Sequence, residues 1–252
     1  MKRLIMLSAA ALLATSWMVA PATAHEHESL GNVDNGHKIF QEGIGDAVPA
    51  CASCHGADAM GDDSAGTPRL AYQVETYIRK QLQDFASKKR MDNTMYTMND
   101  VAAALTEQQR RDVAAYVHSL ETPFLGSDLD QLREDGEDVG TVYKGQMIVK
   151  YGIPENGVPA CKSCHGYNGR SAGNLFPKIG GQRYMYLKHE LEAFRAGNTT
   201  PSSEDDASRD NDPMAIMRHV AAKLTDEDIL NAAAYLTVAK ESTPGNPKAP
   251  KH

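Results

Sequence analysis

Hydrophobic positions in this chain recur at helical spacing, and no stretch sustains the strict alternation of a strand. Three amphipathic patterns stand out, and each occurs twice. The first, about residues 35–42 and again 142–151, predicts a short helix ended by a glycine (Gly43, Gly152), as helix C-termini often are. The second places Tyr77, Ile78, Leu82 and Phe85 on one face, matched by Tyr186, Leu187, Leu191 and Phe194. The third opens with Thr106 and Gln109, spaced as in a capping box. It continues through Val113, Tyr116, Val117 and Leu120. Thr225 holds the same cap position ahead of Ile229, Leu230, Tyr235 and Leu236. Tyr116 and Tyr235 are expected to pack the third helix against the first. The pattern predicts an all-α fold.

These pairs belong to one long internal repeat, the kind of signal that decides architecture. Val48-Pro-Ala-Cys-Ala-Ser-Cys-His-Gly56 lines up with Val158-Pro-Ala-Cys-Lys-Ser-Cys-His-Gly166. Pro68 to Gln73 aligns with Pro177 to Gln182, and Met95-x-x-Met98 with Met214-x-x-Met217. The offset between copies is 109 or 110 until Phe194 and then becomes 119, so the second copy carries an insertion, visible as the polar run of residues 199–212. The chain divides accordingly into domain 1 (residues 25–122), an acidic linker (123–141), domain 2 (142–240) and a tail rich in proline and lysine (241–252) expected to be disordered.

Residues 1–24 stand apart from this pattern. Lys2 and Arg3 precede an apolar run up to Val19, which is followed by Ala22-Thr23-Ala24, the three parts of a secretory signal peptide cut after Ala24. The apolar run is shorter than the roughly 20 residues a membrane-spanning helix needs. Export to the periplasm is the expectation. Removal of residues 1–24 takes the formal charge from −7 to −9, because two cations leave and no acid does. An acidic chain is poorly suited to nucleic acid, which is held by Lys and Arg on phosphates. It could instead be steered to a cationic patch on a partner protein. Only 41% of residues are hydrophobic, so two domains of this size have thin cores that a bound cofactor would fill.

All four cysteines lie in the two motifs Cys51-Ala-Ser-Cys54-His55 and Cys161-Lys-Ser-Cys164-His165. Cysteines three residues apart share one face of a helical turn. There both sulfurs can form thioethers to one haem, with the following histidine beneath the iron. A structural zinc site or a set of disulfides would leave both histidines unexplained, and a thioredoxin-like redox pair needs a βαβ scaffold that the pattern lacks. The motifs therefore predict two covalently bound haem c groups. A methionine opposite the histidine gives a closed site with a raised potential. Two pairs fall at matching positions, Met95/Met214 and Met98/Met217, and their register does not choose between them. His219, close to Met217, is a rival ligand.

The duplicated CxxCHG, the segment Pro177-Lys-Ile-Gly-Gly-Gln182, the Met-x-x-Met pairs and the Leu224-Thr-Asp-Glu-Asp228 helix start resemble the cytochrome c4 family of exported dihaem cytochromes. The resemblance spans the whole of residues 25–240. It implies two tandem class I cytochrome c domains, each a small helical fold around one covalent haem. It further implies iron ligation by His55 with Met98 and by His165 with Met217, and a contact from each histidine to the carbonyl of Pro68 or Pro177. Domain 1 departs from the family pattern where Leu70-Ala-Tyr-Gln73 stands in place of Ile179-Gly-Gly-Gln182. The expected function is single-electron transfer between redox proteins, a donor complex and a terminal oxidase or reductase, with loose membrane association through those partners possible. Two other classes remain open: the cytochrome subunit of a periplasmic dehydrogenase such as a sulfide-oxidising flavoprotein, and a dihaem enzyme.

Overall fold

The computed structural model describes residues 30–95, 97–121, 126–171, 173–205 and 207–239; the proposed signal peptide and the tail lie outside them. The described residues form helices and no strands, with isolated bridges such as Ile44 to Val48 and Ile153 to Val158. Domain 1 consists of α1 (Val33–Glu42), α2 (Ala52–His55), α3 (Glu75–Ala86), α4 (Met98–Ala104) and α5 (Glu107–Ser119). A sixth helix, α6 (Leu129–Glu134), follows. Domain 2 repeats the series as α7 (Val142–Tyr151), α8 (Lys162–His165), α9 (Tyr184–Gly197), α10 (Ile216–Ala221) and α11 (Asp226–Thr237).

The predicted helix ends form as their chemistry dictates. Gly43 and Gly152 end α1 and α7 with φ of 75° and 76°, and their N–H groups return to Ile39 and Ile148. Thr106 and Thr225 each close a full capping box, with Gln109 and Asp228 as reciprocal partners. In each domain the first helix crosses the last at close range. A Cβ added at Gly36 would stand 2.0 Å from the Asp112 carbonyl oxygen, and one at Gly145 1.8 Å from that of Asn231. The same two residues fix the crossing, since Asp112 Oδ1 accepts the Asn32 N–H at 2.8 Å and Asn231 Oδ1 the Thr141 N–H at 2.6 Å. Phe40 then packs on Tyr116, with ring centroids 5.4 Å apart.

One stretch differs from expectation. The acidic stretch 123–141, read as a linker, contains α6, capped by the Asp128 side chain. Its Leu129 and Leu132 are buried in the core of domain 2 with Tyr184 and Leu187. Three residues apart on a helix, they form one apolar face, and the surrounding acids masked that face in the sequence. Within the inserted run 199–212, Ser202, Ser208 and Arg209 are buried.

That insertion helps to join the domains, which meet through polar contacts related by a pseudo-twofold. Gln73 of domain 1 holds both backbone polar groups of Lys178, accepting its N–H at 2.8 Å and donating to its carbonyl at 2.7 Å. Gln182 of domain 2 holds Arg69 in the same way, at 2.7 and 2.9 Å. Beside them, Glu190 takes ion pairs from both Arg90 and Arg209. Arg209 also donates to Gln81 at 2.9 Å, and Asn211 to Asp84 at 2.6 Å.

Candidate functional site

The site of domain 1 is built on the single helical turn α2. The N–H groups of Cys54 and His55 both donate to the Cys51 carbonyl, at 3.2 and 2.9 Å, which winds the CxxCH segment tightly. Cys161, Cys164 and His165 repeat this in domain 2 with the same distances. In each copy the first cysteine is half-buried, the second is exposed, and none is in a disulfide. Burial pushes the Cys51 and Cys161 thiols up to about 11. Such groups are poor thiolate nucleophiles, unlike the activated cysteines of a redox pair.

His55 and His165 are buried, and each has its Nδ1 against a carbonyl: Pro68 at 3.4 Å and Pro177 at 2.9 Å. A carbonyl can only accept, so Nδ1 must donate and Nε2 carries the lone pair. Burial lowers both histidine pKa values, and the proline carbonyls only partly oppose it. Each ring is thereby held neutral and in the tautomer that a metal ligand needs. Phe176 packs edge-on to His165, with centroids 6.0 Å apart.

The His55 ring lines a largely apolar cleft. Cys51 and Cys54 lie on one wall, Leu82 and Phe85 contribute apolar surface, and Met98 and Met95 line it as well. Met98 opens α4 and packs partly buried against the domain core, whereas Met95 is 48% exposed. In domain 2, Met217 is half-buried on α10, whereas Met214 is 85% exposed. The rival His219 is exposed. A neutral imidazole, two thiols three residues apart and a thioether around one apolar cleft fit a flat, covalently tethered haem. Among the described residues, no cluster of three or more His, Cys, Asp or Glu side chains offers a site for a bare metal ion.

Two residues that hold the Met98 segment had no signal in the repeat. The Asp92 carboxylate accepts the N–H groups of Thr94, Met95, Thr97 and Met98 at 2.9–3.4 Å. Burial alone would raise the Asp92 pKa, but these four donors hold it below the usual carboxylate range. Asn99 accepts the Asp92 N–H and donates to the carbonyls of Phe85 and Arg90, fastening α4 to the end of α3. In domain 2 the Asp212 carboxylate does comparable work on the N–H and guanidinium of Arg218. An aspartate ahead of a methionine is too common a pattern to be singled out from one sequence.

The chain matches the cytochrome c family model over residues 33–121 and 155–240. The thiosulfate dehydrogenase electron acceptor of Stutzerimonas stutzeri strain A1501 is 34% identical over 87% of this chain and 93% of its own. The cytochromes c4 of Thiocapsa roseopersicina and Pseudomonas aeruginosa are 35% and 32% identical, over 80% and 82% of this chain and 97% and 93% of their own. The crystal structure of reduced cytochrome c4 from Pseudomonas stutzeri superposes with a TM-score of 0.64 at 31% identity, covering 83% of this chain and 99% of that one. The thiosulfate dehydrogenase TsdBA of Marichromatium purpuratum gives 0.67 at 30% identity over 81% of this chain, which spans 40% of the TsdBA chain.

Proposed function

The chain belongs to the cytochrome c4 family of electron-transfer proteins with two covalently bound haem c groups, and from that premise we propose that it is exported to the periplasm as a one-electron carrier between redox proteins. The observation that carries this reading is the matched pair of buried, neutral histidines, each tied through Nδ1 to a proline carbonyl beside a CxxCH turn. Cys51 and Cys54 would tether one haem and Cys161 and Cys164 the other. His55 with Met98, and His165 with Met217, would hold the two irons. Bound haem c supplies a ferric/ferrous couple that exchanges one electron at a time. Around it, Leu82 and Phe85 exclude water, and Pro68 and Pro177 orient the rings. With a histidine and a methionine committed to each iron, neither would keep a place for a substrate, which favours a carrier over an enzyme.

The similarity to a thiosulfate dehydrogenase electron acceptor supports a second, compatible reading of the donor. In that reading the protein takes electrons from a dehydrogenase of inorganic sulfur compounds and delivers them to a terminal oxidase or reductase. A pyridine haemochrome assay with intact mass tests the core of the proposal. Two covalent haems per chain, on a polypeptide beginning at His25, are expected; a single haem overturns it.

A further inference from the structure

The peptide unit joining Pro68 to Arg69 serves two domains at once. Its carbonyl accepts from His55 Nδ1, and its N–H donates to Oε1 of Gln182 in domain 2 at 2.7 Å. The unit joining Pro177 to Lys178 is wired in the same way with the domains exchanged. Its carbonyl accepts from His165 Nδ1 at 2.9 Å, and its N–H donates to Oε1 of Gln73 in domain 1 at 2.8 Å. Both glutamines are buried, and each is held at both ends of its amide. Nε2 of Gln182 donates to the Arg69 carbonyl and Nε2 of Gln73 to that of Lys178, while the Oε1 atoms also accept from Arg183 and Val74. Neither side chain can turn away without breaking three hydrogen bonds.

Hydrogen bonds in series through one peptide unit polarise each other, by about 10–30% per bond. A carbonyl whose own N–H is engaged is a stronger acceptor, and it draws the Nδ1 proton further from the imidazole. Electron density then rises at Nε2, the atom that would meet the iron, and a more basic ligand favours the ferric state. We infer that Gln182 tunes the haem of domain 1 and Gln73 the haem of domain 2, each as a positioning residue acting across the domain boundary. The inference rests on His55 and His165 being the iron ligands. On this account neither domain alone sets its potential, and the domain contact is part of both redox centres.

The test uses the full dihaem protein with Gln182→Met or Gln73→Met, which keep an unbranched side chain and remove the amide. Each haem is titrated separately, with the two distinguished by their hyperfine-shifted methyl resonances. Gln182→Met is expected to raise the midpoint of the domain 1 haem, to speed exchange of the His55 ring proton, and to leave the domain 2 haem in place. Gln73→Met is expected to give the mirror image. Either variant alone decides both the sign and the crossing, so one that fails to fold does not block the test. A shift confined to the variant's own domain, a joint fall of both midpoints as water enters a loosened interface, or no shift overturns the inference. The low-spin ferric spectrum of the same samples reports ligation separately. If that spectrum is kept without the crossed shift, the inference alone fails; wild-type protein lacking it overturns the ligand assignment beneath.

Discussion

Met98 and Met95 line the same cleft, three residues apart, and what separates them is how firmly each is held. Both N–H groups reach Asp92, but Met98 begins a helix and packs against the core, whereas Met95 lies in the loop with half its surface in solvent. A thioether ligand must stay in place through each redox cycle, which favours the residue on the rigid element. Met98→Ala is expected to halve the near-infrared methionine-to-iron band, since the second haem keeps Met217, and Met95→Ala to leave it intact. The reverse result would reassign the ligand. At this scale the sequence was legible wherever the two copies agree: CxxCH, the prolines and the Met-x-x-Met spacing each appear twice. Asp92 and Asn99 were not, because they act by bonding local backbone, and residues with that role are defined by loop geometry more than by spacing. Tyr72 was legible only as a departure. It takes φ of 59° where its counterpart Gly181 takes 70°, and Lys178 Nζ sits 3.3 Å from its ring centroid. That contact offsets some of the cost of holding a tyrosine in a left-handed conformation.

The elements repeat more faithfully than the residues that build them. Both copies cross their first and last helices at a glycine, and both pin the crossing with a side-chain oxygen on the N-cap backbone, from Asp112 in one and Asn231 in the other. The charge differs and the geometry does not, so acceptance of a hydrogen bond is the property this position needs. Gly145→Ala opposes two effects of known size. In a free helix the change gains about 0.8–1.0 kcal/mol of propensity. Here the new methyl meets a backbone carbonyl at 1.8 Å, and overpacking of that kind costs typically 1–3 kcal/mol. Backbone cannot rotate aside as a side chain can, so the clash is expected to win. A net loss of up to about 2 kcal/mol, seen as a lower urea midpoint, is the expected outcome; a stabilised variant would show that the crossing yields. The helix α6 escaped sequence reading for the opposite reason. It is short and occurs once, and its two leucines are surrounded by acids, so neither repeat nor composition marked it.

At the scale of the whole molecule, the domain contact is polar where an ordinary core would be apolar. Its centre is Glu190, which faces Arg90 and Arg209, with Tyr186 and Tyr77 accepting from those arginines and His189 beside the carboxylate. The two arginines stack on Phe85 and Phe194, one in each domain, at 4.5 and 4.3 Å. The arrangement is symmetric except in charge, since the residue matching Glu190 in domain 1 is the neutral Gln81. One carboxylate therefore serves two guanidinium groups. Burial by itself would raise the Glu190 pKa, but Arg209 and Arg90 outweigh it and lower the value to about 2. A carboxylate with a depressed pKa lends stability above its unfolded value of about 4.3, and that stability drains away as pH falls towards the folded value. The contact should hold unchanged from neutral pH to about 5 and loosen from there down to about 2. Glu190→Gln puts the acid condition in place at every pH, leaving two buried cations face to face. Breaking a buried pair in this way costs about 3–5 kcal/mol. The variant is expected to show faster amide exchange in α3 and α9 at pH 7, and a domain contact that no longer responds to acid between pH 5 and 2. If amide exchange stays at the wild-type rate, the ion cluster is not what holds the domains together, and the reciprocal Gln73 and Gln182 clamps must hold them without it.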